Sequence, residues 1–178
     1  RDRENGTQAQ FGHSELARLG FAHTERSVRF LADDALAFVP PDLVRVMGTV
    51  PDPDEAMIAL LRLSEAASEA NCGAFFRTLV NDDEAGPRLV RLLGTSVALG
   101  DFLARHPDRL ADALTDTDTP EIKTQDFRSS LLEAVGADPE SAVPVAPHPT
   151  EMRDALRIQY NTHMCQIATR DVCASDPA

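Results

Sequence analysis

GTSVALGDFLARHPDRLADAL, Gly94 to Leu114, decides the fold, because two helices and the corner between them are written into it. Leu92, Leu93, Val97, Leu99, Phe102 and Leu103 supply an apolar stripe. Gly94 and Thr95 interrupt the stripe, and His106-Pro107 sets a helix boundary, since a residue before proline is pushed out of helical backbone. Asp108 and Leu110 restart the helix. The stretch therefore predicts helix, sharp corner, helix, with Phe102 and Leu103 in the core.

Toward the N-terminus, residues 1–12 are polar and expected to fray. Ser14 and Glu15 offer a helix start and Gly20 a stop; Thr24 is the candidate cap of a helix over 25–38, with Val28, Leu31, Ala35 and Phe38 on one face. Pro40-Pro41 end that helix and open another that buries Leu43, Val46 and Met47. The clearest start is Asp52-Pro53-Asp54-Glu55, a cap, a proline at the first helical position and the acid of a capping box. That helix carries Ile58, Leu61 and Leu63 as apolar residues and Arg62, Glu65 and Glu69 toward water. Short helices over 75–80 and 88–93 follow, separated by the acidic turn Asn81 to Glu84.

Toward the C-terminus, Thr115 to Pro120 reads as a loop, because short polar side chains compete for the backbone. A short helix over 127–135 ends at Gly136. Three prolines in 143–149 make an extended strap, and Thr150 caps a last long helix whose Met152, Leu156, Tyr160, Met164 and Ile167 form one drifting apolar stripe. The expected fold is all-α, an irregular multi-helix bundle over 13–142, the strap 143–149, a long helix 150–174 and a flexible tail 175–178. No strand-like alternation and no fixed repeat period interrupts this pattern.

Composition narrows the function. A formal net charge of -12 argues against nucleic acid as partner, and no apolar run approaches the length of a membrane span. With no secretory signal pattern, a cytoplasmic location is expected. Lys123 is the one lysine among 17 basic residues, a bias without mechanistic content. Cys72, Cys165 and Cys173 lack CxxC spacing and read as buried or bystander thiols rather than a disulfide framework or zinc site.

Chemistry-bearing residues do not converge in the sequence. Asp116 and Asp118 have Asp-x-Asp spacing but lie in a Thr-rich loop, a poor frame for two metal ions, and Asp52 with Asp54 is explained by capping. His106 is expected in a structural hydrogen bond. His163 and Cys165, two apart on a helix, point in nearly opposite directions. Ser96, Ser129 and Ser130 have no matching base nearby in sequence, and no glycine-rich phosphate loop is present. The residue-level assignment is thus no catalytic, cofactor or metal residue, and no cofactor held by this segment.

Three stretches also resemble a family. Leu16 to Phe21 (LARLGF), Gly94 to Leu114 and Ala155 to Val172 (ALRIQYNTHMCQIATRDV) are similar to the N-terminal helical region of glutamine synthetase adenylyltransferase, a two-headed nucleotidyltransferase. In that family an Arg-Ile followed by Arg-Asp lies on a long helix beside the nucleotidyltransferase sheet, matched here by Arg157-Ile158 and Arg170-Asp171. The family's Gly-Ser and Asp-x-Asp signature has no counterpart, and the residues between the arginines are Gln159, Tyr160, Asn161 and Thr162 rather than Arg and Glu. The resemblance implies a helical scaffold in the adenylyl-removing, phosphorolytic half, ending before the catalytic motif. It further implies a parent enzyme using Mg²⁺ or Mn²⁺ with ATP or phosphate. The partners implied are glutamine synthetase, the PII signal protein and the rest of the same polypeptide. The rival reading is a non-catalytic helical interaction module.

Overall fold

A computed structural model describes residues 11–114, 124–147 and 150–174. Among them the chain forms ten α-helices and no strand. The first six are α1 (His13–Arg18), α2 (Thr24–Leu31), α3 (Pro41–Met47), α4 (Pro53–Glu69), α5 (Gly73–Val80) and α6 (Ala85–Leu93). There follow α7 (Val97–Arg105), a 3₁₀ turn at Pro107–Arg109, α8 (Leu110–Leu114), α9 (Thr124–Ala134) and α10 (Met152–Ala174). The architecture is the expected all-α irregular bundle with a long C-terminal helix. The expectations for 1–10, the Thr115 to Pro120 loop and 175–178 lie outside the described residues. Phe11, placed in the fraying segment, is instead buried, with the Arg45 guanidinium over its ring.

Helix α4 is the axle. Asp52 accepts the Glu55 amide at 2.9 Å, and Pro53 occupies the first turn, as its sequence dictates. Ala56, Met57, Ala59, Leu60, Leu63 and Ala67 are buried, so α4 is covered over a wider arc than one stripe, by α2, α3, α5, α6 and α7. Of the apolar residues on this helix, Ile58 and Leu61 sit at the edges of that arc. Asn71 ends the helix in left-handed backbone at φ 58°, where an asparagine is tolerated.

The Gly94–Leu114 corner forms as its sequence predicts. Ser96 caps α7 by accepting the Leu99 amide, and Phe102 and Leu103 are buried. Gly94 does more than interrupt: a Cβ there would lie 2.3 Å from Cγ2 of Val50, so the α6 end can approach the α3–α4 turn only without a side chain. Val97, counted in the apolar stripe, is 53% exposed. At the start of α6, the amides of Ala85 and Glu84 bind the Asp82 carboxylate and hold it below its ordinary value of 3.8.

Helix α2 differs from expectation at both ends. Helix α2 stops at Leu31 rather than continuing to Phe38, because Asp33 takes the Ala35 amide at 2.8 Å and turns the chain. His23, not Thr24, is its N-cap residue, and the Thr24 hydroxyl faces His13.

The last helix differs in the face it buries. Thr162, Cys165 and Thr169 are buried, and Ile158 and Ala168 pack beside them against α6, α7 and α8. At about 100° per residue this face lies roughly half a turn from the stripe Met152, Leu156, Tyr160, Met164 and Ile167. Tyr160 is 56% and Met152 37% exposed. Small side chains won the interior because they admit close helix approach, while Leu156, Met164 and Ile167 of the bulkier stripe are only half-buried.

Candidate functional site

Two of the acids flagged by spacing, Asp52 and Asp54, have structural partners. Asp52 is a helix cap, and Asp116 and Asp118 lie outside the described residues. Asp54 departs from the capping explanation: it reaches across to α2 and accepts the amides of Ala22 at 2.7 Å and His23 at 3.2 Å and the Ser27 hydroxyl at 3.3 Å. It therefore caps a neighbouring helix from α4, with Arg26 3.8 Å away. Nothing in the local sequence marks that pairing. Among the described residues no group of three or more His, Cys, Asp or Glu side chains could hold a metal ion. His106 meets Phe102 through its ring, centroids 5.1 Å apart, rather than through a side-chain hydrogen bond.

Ser130 does have a base, contrary to the sequence reading. Its hydroxyl on α9 lies 2.6 Å from Nε2 of His163 on α10 and 3.1 Å from the Phe127 carbonyl. The Gln166 amide nitrogen donates to the Asp112 carbonyl at 2.8 Å, which turns Oε1 of Gln166 toward Nδ1 of His163 at 3.0 Å. That orientation assigns the ring proton to Nδ1, leaving Nε2 to accept from Ser130, with the Gln159 amide nitrogen 3.2 Å away. The Phe127 ring meets the imidazole edge-on, centroids 4.5 Å apart. Base and orienter stand beside a hydroxyl, as nucleophilic catalysis requires. Ser130 is mid-helix, however, where the neighbouring amides are spent on the helix ladder and offer no oxyanion site. The cluster is an interhelical lock. The 33 residues separating Ser130 from His163 hid it from any reading by spacing.

Cys165 and His163 part company as the helix geometry requires: the thiol faces the bundle and the imidazole faces α9. Burial pushes the Cys165 thiol from 9.0 up to about 12. Of the family-like residues, Arg157 is exposed on the outer side of α10. Asp171 and Val172 line a cavity of about 360 Å³ with Thr49, Val50, Pro51, Arg91 and Thr95. The end of α10, the end of α6 and the α3–α4 turn thus meet around one partly apolar recess. Among the described residues no helix is long and apolar enough to cross a membrane.

The chain is similar to bifunctional glutamine synthetase adenylyltransferase/adenylyl-removing enzymes of several bacteria. That of Cutibacterium acnes is 39% identical over 127 residues, 71% of this chain and 12% of the relative. That of Streptomyces avermitilis is 34% identical over 91% of the chain and 15% of the relative, and that of Bifidobacterium longum 31% over 92% and 16%. The chain therefore spans less than a fifth of the length of these curated relatives. No family model matches it, and no solved structure does.

Proposed function

The chain belongs to the glutamine synthetase adenylyltransferase/adenylyl-removing enzyme family, and from that premise we propose that it is the helical scaffold of the adenylyl-removing half of such an enzyme. In this reading the chemistry, removal of AMP from glutamine synthetase by phosphorolysis with Mg²⁺ or Mn²⁺, belongs to a nucleotidyltransferase domain elsewhere in a longer polypeptide. The PII signal protein and a cytoplasmic setting belong to the same proposal. The scaffold's task is to hold that domain in position.

The division of α10 into two faces supports the reading. Thr162, Cys165 and Thr169 anchor the helix to the bundle, so its axis is fixed, while Met152 and Tyr160 face outward. An apolar outer face on a rigidly held helix suits a domain docked within the same chain. Positioning of this kind acts on rate, since a displacement of about 1 Å costs on the order of 100-fold.

The test substitutes Tyr160→Asp and Met152→Asp, both exposed and so harmless to the bundle, in a full-length family enzyme carrying this region. AMP removal from adenylylated glutamine synthetase is expected to fall by about 10- to 100-fold while AMP addition stays within about twofold. Equal loss of both activities, or loss of neither, would reject the assignment to the removing half.

A further inference from the structure

Helix α9 stands apart from the rest of the bundle. Among its described side chains none is buried, and the helix it packs against is α10. Beyond it Gly136 turns the chain at φ 71°, Pro147 packs on that glycine, and residues 138–147 run without helix. Helix α10 does not depend on α9 for its place, because its buried face is held by α6, α7 and α8. The contact between α9 and α10 is carried by the Phe127 ring, half-buried apolar residues and the chain Ser130–His163–Gln166–Asp112 carbonyl.

We propose that α9 is a releasable cover on α10, closed by the Ser130–His163–Gln166 lock, whose opening exposes the Gln159–His163–Gln166 flank beside the outer apolar face. The energetics favour local release. Opening the rest of the bundle means exposing fully buried leucines. Opening α9 means breaking a few hydrogen bonds and exposing half-covered side chains, so its opening free energy lies well below the global one. The lock is also tolerant of reclosure, since the Asp112 carbonyl holds Gln166, and Gln166 holds the imidazole, in place when α9 leaves. Insofar as the outer face of α10 docks another part of a longer polypeptide, which rests on the reading above, α9 sets how much of α10 that part can reach.

Native-state hydrogen exchange on this chain tests the cover by itself. Amides of residues 128–134 are expected to exchange at least about 10-fold faster than those of 162–169, through an opening that leaves the latter closed. Ser130→Ala and, separately, His163→Phe, which keeps a ring against Phe127, should each speed α9 exchange by about fivefold, the equivalent of one net hydrogen bond. Residues 162–169 should stay within about twofold. Exchange of both helices in one common step, equal acceleration of both, or no acceleration of α9 by either variant overturns the proposal. Docking is absent from this measurement, so its failure leaves the scaffold reading standing, and failure of the activity test above leaves the cover standing.

Discussion

Asp54 shows how far one carboxylate can carry a fold. Placed in the first turn of α4, it could have served its own helix, yet it takes two amides and a hydroxyl from the start of α2 and so ties Phe21 to Ser27 to the axle. Asp54→Ala should cost about 1–3 kcal/mol in urea denaturation, because the part-buried amides of Ala22 and His23 lose their acceptor. A loss within error of zero would mean that water replaces the carboxylate. Cys165 gives a pH signature instead. Its thiol keeps its proton up to about 12 in the fold, while the unfolded chain releases it near 9.0. The native state binds more protons across that window, so this contribution is intact below pH 9, falls as pH rises through it, and is gone above about 12. The decline in urea midpoint between pH 8 and 10 should be shallower for Cys165→Ala, and Cys165 should resist alkylation in the native protein while half-buried Cys72 and Cys173 react. An identical pH slope would show that the thiol does not contribute.

Elements were legible where local chemistry marks their ends. Asp52-Pro53, Gly136 and His106-Pro107 each act within a few residues of themselves, and each boundary forms where its residues place it. The early end of α2 and the buried face of α10 were not legible. A periodicity search favours the bulkiest apolar residues, whereas the interior of α10 was chosen by fit against α6 and α8, and Thr162, Cys165 and Thr169 fit. The Ser130 lock escaped for a related reason: it pairs residues on two helices, and spacing within one helix says nothing about it. The corner of α6 and α7 supports two predictions. Phe102→Ala should cost roughly 3–5 kcal/mol through lost burial and a residual cavity, and an unchanged melting midpoint would place the ring at the surface. Gly94→Ala should cost about 1–3 kcal/mol, since the added carbon meets Val50, and Val50→Ala should restore part of that loss. Absence of rescue would assign the cost to something other than this contact.

For the whole molecule the balance of charge is the governing quantity, with 29 acidic residues against 17 basic ones. The pairs Arg45–Asp42, Arg62–Asp101, Arg88–Glu84 and Arg109–Asp112 join exposed carboxylates to arginines that are at least partly solvated, in a setting where one pair is worth about 0–1 kcal/mol. Such pairs offset little of the repulsion that a net charge of -12 imposes on a compact chain. Added salt weakens both effects, yet not equally. The pairs act over a few ångströms, whereas the repulsion sums over the whole surface and is cut off once the screening length falls to about 10 Å near 0.1 M. The melting midpoint should therefore rise between low salt and about 0.2 M sodium chloride, then level off as screening saturates. Substituting lysine for exposed acids such as Glu69 and Asp83, for which no ion pair holds the fold, should raise the low-salt midpoint and flatten its salt dependence. A midpoint that falls with salt would mean that the ion pairs outweigh the repulsion, and that the acidic surface stabilises the bundle instead of straining it.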